Sequence, residues 1–221
     1  MVNSSSSSIG NIRKKFHEIH ELISTSYHEA GHTIYGLLHL IKIESVYVFE
    51  NKRTKRIEGF AQYNSANLSQ FTDSVLFNER LHTEIGLYYA GLTAEKRHFV
   101  MMSGSDKFPM FLRDGSSNDI NCAAELFQKY NLVEAGRKRY NYKQIIIKSV
   151  DQELRDHWES VTLVSHALFK KKRLSYNDLQ KLLTTKGKDK KFWKEQFKAI
   201  NYFYDNAENL DQNDLKSILG L

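Results

Sequence analysis

One cysteine, Cys122, and one proline, Pro109, are all that the 221 residues contain of either type. A single thiol cannot close an intramolecular disulfide, which excludes a disulfide-stapled scaffold and makes a reducing, cytoplasmic setting the simpler expectation. No apolar run approaches the roughly eighteen residues that a membrane span needs. The serine-rich start, Met1 to Gly10, lacks the apolar segment of a signal peptide. Strong charge of one sign is missing too. With 32 basic and 26 acidic residues the net charge is +6, densest at Lys186 to Lys198, and this alone does not argue for a nucleic-acid partner.

What is present is enough apolar material, 41% of the chain, to bury a core in one domain. Residues 1–10 read as a flexible serine-rich tail, 11–184 as the domain and 185–221 as a basic amphipathic appendage. Ile12 to Leu40 reads as helix, broken near Ser24-Thr25-Ser26, where hydroxyls offer an N-cap. Ile43 to Glu50 and Ile57 to Tyr63 are rich in β-branched and aromatic residues and flank the charged turn Asn51 to Arg56. They form the only clear strand signal, a hairpin or two neighbouring strands.

Helical spacing returns at Asn78 to Val100, and the Gly/Ser-containing loop Ser103 to Ser117, with Pro109, follows it. A further helix starts near Asp119. Ile145 to Phe169 repeats the helical period, and Ser175 opens a capped helix through Leu183. In the appendage, Trp193, Phe197, Ile200 and Tyr204 keep helical spacing. Leu174 to Leu183 and Leu210 to Leu219 echo each other as capped helices, too little for a repeat architecture. The expected fold class is mainly α (α+β), helical with a small β-hairpin or sheet.

His28-Glu29-Ala30-Gly31-His32 is an HExxH sequence within a helical window. Residues four apart project from one helix face, so two imidazoles can share one ion, and Glu29 stands beside them as a base for metal-activated water. Ala30, Ile34, Leu37 and Ile41 form an apolar stripe, while His28, His32, Tyr35 and His39 fall on another face, as suits a helix facing a cleft. The plain structural alternative is a solvated histidine face with Glu29 in a local ion pair. A three-histidine site of the metzincin type needs Gly and His three and six residues after the second ligand. Gly36 and His39 come one position too late, so His39 reads as a helix-end residue.

Ser26-Tyr-His-Glu-Ala-Gly-His-Thr-Ile-Tyr-Gly-Leu-Leu resembles the active-site helix of FtsH-type zinc metalloproteases. Tyr89-Ala-Gly-Leu-Thr-Ala-Glu-Lys is similar to that family's Gly-Gly-Arg-x-Ala-Glu segment, and Gly115-Ser-Ser-Asn-Asp-Ile to its Gly-Ala-Ser-Asn-Asp-Ile segment. Val150 to Leu183 resembles its terminal helices, so the resemblance spans about Ile23 to Leu183. It implies a zinc endopeptidase holding one Zn(2+) per chain by His28, His32 and Asp119, with Glu29 catalytic. Read locally, Ser116-x-x-Asp119 is also a capping pattern. Glu95 is the competing carboxylate, a candidate to orient a histidine, and Cys122 reads as a buried helix residue.

The departures also carry information. The family has an ATPase domain before its peptidase, whereas residues 1–27 alone precede His28 here and no G-x-x-x-x-G-K-[ST] loop occurs. Leu92 stands where the family has arginine. ATP-independent cleavage of flexible or unfolded polypeptides is therefore expected, with room for a separate ATPase or adaptor and for a homo-oligomer. By resemblance, Ile57 to Tyr63 offers an edge to a protein or peptide substrate. The competing expectation is a catalytically silent binding or regulatory module on the same fold.

Overall fold

A computed structural model of the chain describes residues 5–63, 72–105, 107, 117–130, 132, 137–206 and 210–219. The fold is mainly helical with one small antiparallel sheet: α1 (Ser5–Leu38), β1 (Ile43–Glu50), β2 (Ile57–Tyr63), α2 (Ser74–Ser103), α3 (Ser117–Lys129), α4 (Arg137–Asp156), α5 (Trp158–Lys171), β3 (Arg173–Ser175), α6 (Tyr176–Lys186), α7 (Lys190–Asn206) and α8 (Gln212–Leu219).

α1 runs without the expected break and begins at Ser5, inside the stretch read as a tail. The hydroxyls read as a cap are engaged elsewhere. Ser26 Oγ donates back to Leu22 O at 2.7 Å, and Ser24 Oγ donates to Glu95 at 2.6 Å. A serine that bonds its own preceding turn stays within a helix. The apolar stripe is buried: Ala30, Ile34, Leu37 and Ile41 are each fully inside. Around α1 pack α2, α5 and the sheet, so the helix that carries HExxH is also the centre of the core.

The sheet order is β2-β1-β3, both pairs antiparallel. The hairpin turn is closed by Asn51, whose Oδ1 accepts from the N–H groups of Arg53 and Thr54, with Lys55 in the left-handed region at φ 61°. Strand β3 was not read from the sequence, because three residues give no period. Gly104, at φ 64°, closes α2 and donates its N–H to Val100 O, so a helix C-terminus coincides with the start of the expected loop. Residues 108–116, including Pro109, lie outside the described residues.

Ile145 to Phe169, read as one helix, is two. His157, at φ −109° and ψ 23°, separates α4 from α5. Ser175 caps α6 through a full capping box with Asp178. Asp211 repeats this at α8, accepting from Asn213 and Asp214 N–H while Asp214 Oδ2 accepts from Asp211 N–H, which accounts for the sequence echo.

The C-terminal helices are docked rather than free. Trp193, Phe197 and Ile200 are buried, Trp193 Nε1 donates to Ser160 Oγ at 3.0 Å, and Gln196 Nε2 donates to the last carbonyls of α1, Leu37 O at 2.8 Å and Leu38 O at 2.9 Å. The aromatic face of the lysine-rich stretch is therefore spent on the body, leaving lysines on the solvent side. Among the described residues no helix is long and apolar enough to cross a membrane.

A pH dependence of stability follows from one stack. His98 of α2 lies on Tyr27 with ring centroids 3.7 Å apart. Burial, then the neighbouring His20 and His166, pushes its imidazole down to about 4. The unfolded chain takes up that proton near pH 6.5, so the stack contributes stability above about pH 6.5 that is lost as pH falls towards 4. His98→Phe keeps a ring against Tyr27 and should flatten the denaturation midpoint between pH 6.5 and 4. Parallel slopes for the two proteins would contradict the assignment.

Candidate metal centre

His28 and His32 lie one turn apart on α1, and α3 brings Asp119 across to them. His28 Nε2 is 3.0 Å from Asp119 Oδ2, His32 Nε2 is 3.3 Å from the same oxygen, and the two Nε2 atoms are 3.0 Å apart. Asp119 sits in the first turn of α3, where the capping alternative would have turned it onto its own helix; Ser116, its partner in that reading, lies outside the described residues. The three donor atoms fall within 4.8 Å of one another. Tetrahedral zinc bonds of about 2.0–2.1 Å set donors about 3.3 Å apart, so this is a zinc-sized separation.

The other ring edge of each histidine is fixed. His32 Nδ1 donates to Leu87 O at 2.7 Å, and His28 Nδ1 donates to Glu95 Oε2 at 3.3 Å, while Glu95 Oε1 accepts from Ser24. Both Nε2 atoms are thereby aimed at the shared point, the usual device for orienting ligating imidazoles. Glu95, the competing carboxylate, stands behind His28 on the edge away from Asp119. Neither His39 nor Cys122 joins the cluster: His39 Nε2 bonds Glu153 at 2.7 Å, and Cys122 is a free thiol.

The electrostatics show how firmly this arrangement holds a proton. Burial alone would push His28 down, but the bonds to Asp119 and Glu95 and the charges of Glu29 and Glu95 outweigh it and hold the imidazole up at about 10. Asp119 responds in the opposite direction: burial would raise it, yet the bonds from His28 and His32 hold it below the usual carboxylate range. Two imidazole nitrogens and a carboxylate oxygen facing one another in a buried site must share a proton or a metal.

Two glycines make the space. Gly91 of α2 sits against both rings, where a Cβ would overlap the Nε2 atoms of His28 and His32 and come within 2.7 Å of His28 Cδ2. A Cβ at Gly59 of β2 would overlap the Glu29 side chain, 2.6 Å from its Cδ. Gly91 lies in the Ala-Gly segment already singled out by resemblance; Gly59 carried no local signal, because its close approach is made by the sheet folding over α1. Glu29 is buried, and that burial pushes its carboxyl up, against the lowering effect of His28 and His32.

No protein-family model matches the chain, and no curated protein matches it. A cleft of about 240 Å³ opens beside it, lined by Thr25, His28, Glu29, Ile57, Glu58, Gly59 and Glu95. His28 of the donor set, the base Glu29 and one end of β2 thus share one opening.

Proposed function

We propose that the chain is a zinc-dependent endopeptidase of FtsH-like type, binding one zinc through His28, His32 and Asp119. The observation that carries this reading is the convergence of those three donors, with His28 and the neighbouring Glu29 lining a cleft bordered by a sheet edge. A zinc ion held there supplies Lewis acidity, which lowers the pKa of water and polarises a carbonyl.

The protein's own residues do the rest. Glu29 is the one buried carboxylate in the cleft outside the donor set and its support, so it takes the proton from the attacking water and passes it to the leaving amine. Its burial, which raises its proton affinity, suits a group that must both accept and return a proton. Glu95 and Leu87 O hold the two rings by Nδ1, so that each Nε2 is turned towards Asp119 and the point where the ion would sit. A substrate in extended form pairs with β2, and the chain needs no ATP for the cleavage itself.

Asp119→Ala tests the donor set. The variant should retain the helical circular-dichroism spectrum, bind zinc at least about 100-fold more weakly and lose proteolysis of an unfolded substrate such as casein. Zinc affinity equal to that of the parent chain would remove Asp119 from the site.

A further inference from the structure

Strand β2 is an edge of the sheet, and its backbone fixes which side chains a strand added there would meet. Val48 donates its N–H to Lys172 O, on the β3 side of β1. Backbone groups alternate sides along a strand, so Tyr47 and Phe49 direct theirs to β2. Asn51 N–H donates to Arg56 O, continuing the ladder Phe49↔Glu58 and Tyr47↔Phe60. Glu58, Phe60 and Gln62 therefore pair with β1, while Ile57, Gly59 and Ala61 direct N–H and C=O to the outer edge. Among the described residues no strand occupies that edge.

Side chains alternate in the complementary way. Ala61 is buried and Gly59 lies over Glu29, so that row faces the body; Phe60, 51% exposed, belongs to the outer row together with Glu58. In a peptide added antiparallel to β2, the residue opposite Gly59 exchanges both backbone hydrogen bonds with it and lies over Glu29. Its two neighbours point outward, one opposite Phe60 and the next opposite Glu58, at the close spacing of non-hydrogen-bonded pairs.

Those two neighbours meet different chemistry. Phe60 belongs to an outer aromatic row, with its ring 5.7 Å from Tyr47 and Tyr47 5.9 Å from Phe49. Glu58 lines the cleft, held by Asn51 Nδ2 at 2.8 Å and Thr54 Oγ1 at 3.3 Å, both on Oε1. Of the cleft's other carboxylates, Glu95 is committed to His28 and Ser24, and Glu29 lies beneath Gly59.

We propose, on the footing of the peptidase reading, that Phe60 and Glu58 set the specificity of this cleft: it selects extended segments that read, from the N-terminal side, bulky apolar residue, any residue, lysine or arginine. The antiparallel sense fixes that order, since the position opposite Phe60 precedes the position opposite Glu58. The polypeptide class singled out is basic and partly apolar, not acidic.

The test uses zinc-loaded full chain and internally quenched peptides that differ only in a three-residue core: Phe-Ala-Arg, Phe-Ala-Glu, Ser-Ala-Arg and the reversed Arg-Ala-Phe. Phe-Ala-Arg should be cleaved with a kcat/KM about tenfold above Phe-Ala-Glu and above Ser-Ala-Arg. Glu58→Lys should erase or invert the arginine preference, and Glu58→Gln, which can keep the bonds to Asn51 and Thr54, should reduce it. Phe60→Ser should remove only the preference for phenylalanine. Binding to Glu29→Gln, followed by fluorescence anisotropy without cleavage, should rank the peptides in the same order.

Cleavage of all four peptides within twofold, unchanged in the Glu58 variants, would overturn the specificity assignment and leave the peptidase intact. Arg-Ala-Phe as the best substrate would also overturn it. Failure to cleave any peptide or casein would overturn the peptidase reading beneath it.

Discussion

Glu29→Gln should leave the chain folded and zinc bound and lower proteolysis by about 10²–10⁴-fold, the range that a positioned general base supplies. The reason is local. Glutamine preserves the shape of a side chain packed against Gly59 but cannot take a proton from water. The histidines are held from behind by Glu95 and Leu87 O, not by Glu29, so the donor set does not depend on the charge that is lost. Equal zinc content with near-parent activity would show that the base is some other group.

A second large effect is expected from one added methyl. In Gly91→Ala the new carbon would occupy the space of both Nε2 atoms, so the rings must turn away from Asp119 or α2 must move off α1. Rings held by 2.7 Å and 3.3 Å bonds on their far edges have little freedom to turn. Zinc affinity should fall at least about 100-fold, with an overpacking cost of about 1–3 kcal/mol in the metal-free protein. Gly59→Ala is the companion, because its methyl meets Glu29 and not the histidines: zinc should stay and cleavage should fall. Titration of both variants with zinc, beside casein cleavage, checks the pair; matching zinc affinities for Gly91→Ala and the parent would contradict it.

The local parts of this molecule were legible in its sequence. The hairpin strands, the α6 cap at Ser175 and the helical register that puts His28 and His32 on one face all depend on neighbours within about one turn or one strand. The mainly helical class with a small sheet follows from the same signals. The errors have a different origin. Serine hydroxyls near 24–26 look like a cap until Glu95, 71 positions away, supplies the partner for Ser24. The break at His157 has no glycine or proline to mark it, and β3 is too short to show alternation.

The site divides along the same line. HExxH is a motif of one turn, whereas placing Asp119 with it required the resemblance, because its partners lie 91 and 87 positions back (119 − 28 and 119 − 32). Gly59 and Ser24 reach the site only through packing: the sheet lies over α1, and α2 lies beside it. No periodicity in the chain encodes those approaches. They appear once three elements are set against one another.

Zinc content and proteolysis measured on one preparation of the parent chain test the central claim most directly. After loading and dialysis, metal analysis should find about one zinc per chain, casein should be cleaved, and a chelator such as 1,10-phenanthroline should abolish cleavage until zinc is restored. A zinc-replete preparation that holds no metal, or one that cleaves equally well after the metal is stripped, would contradict the account.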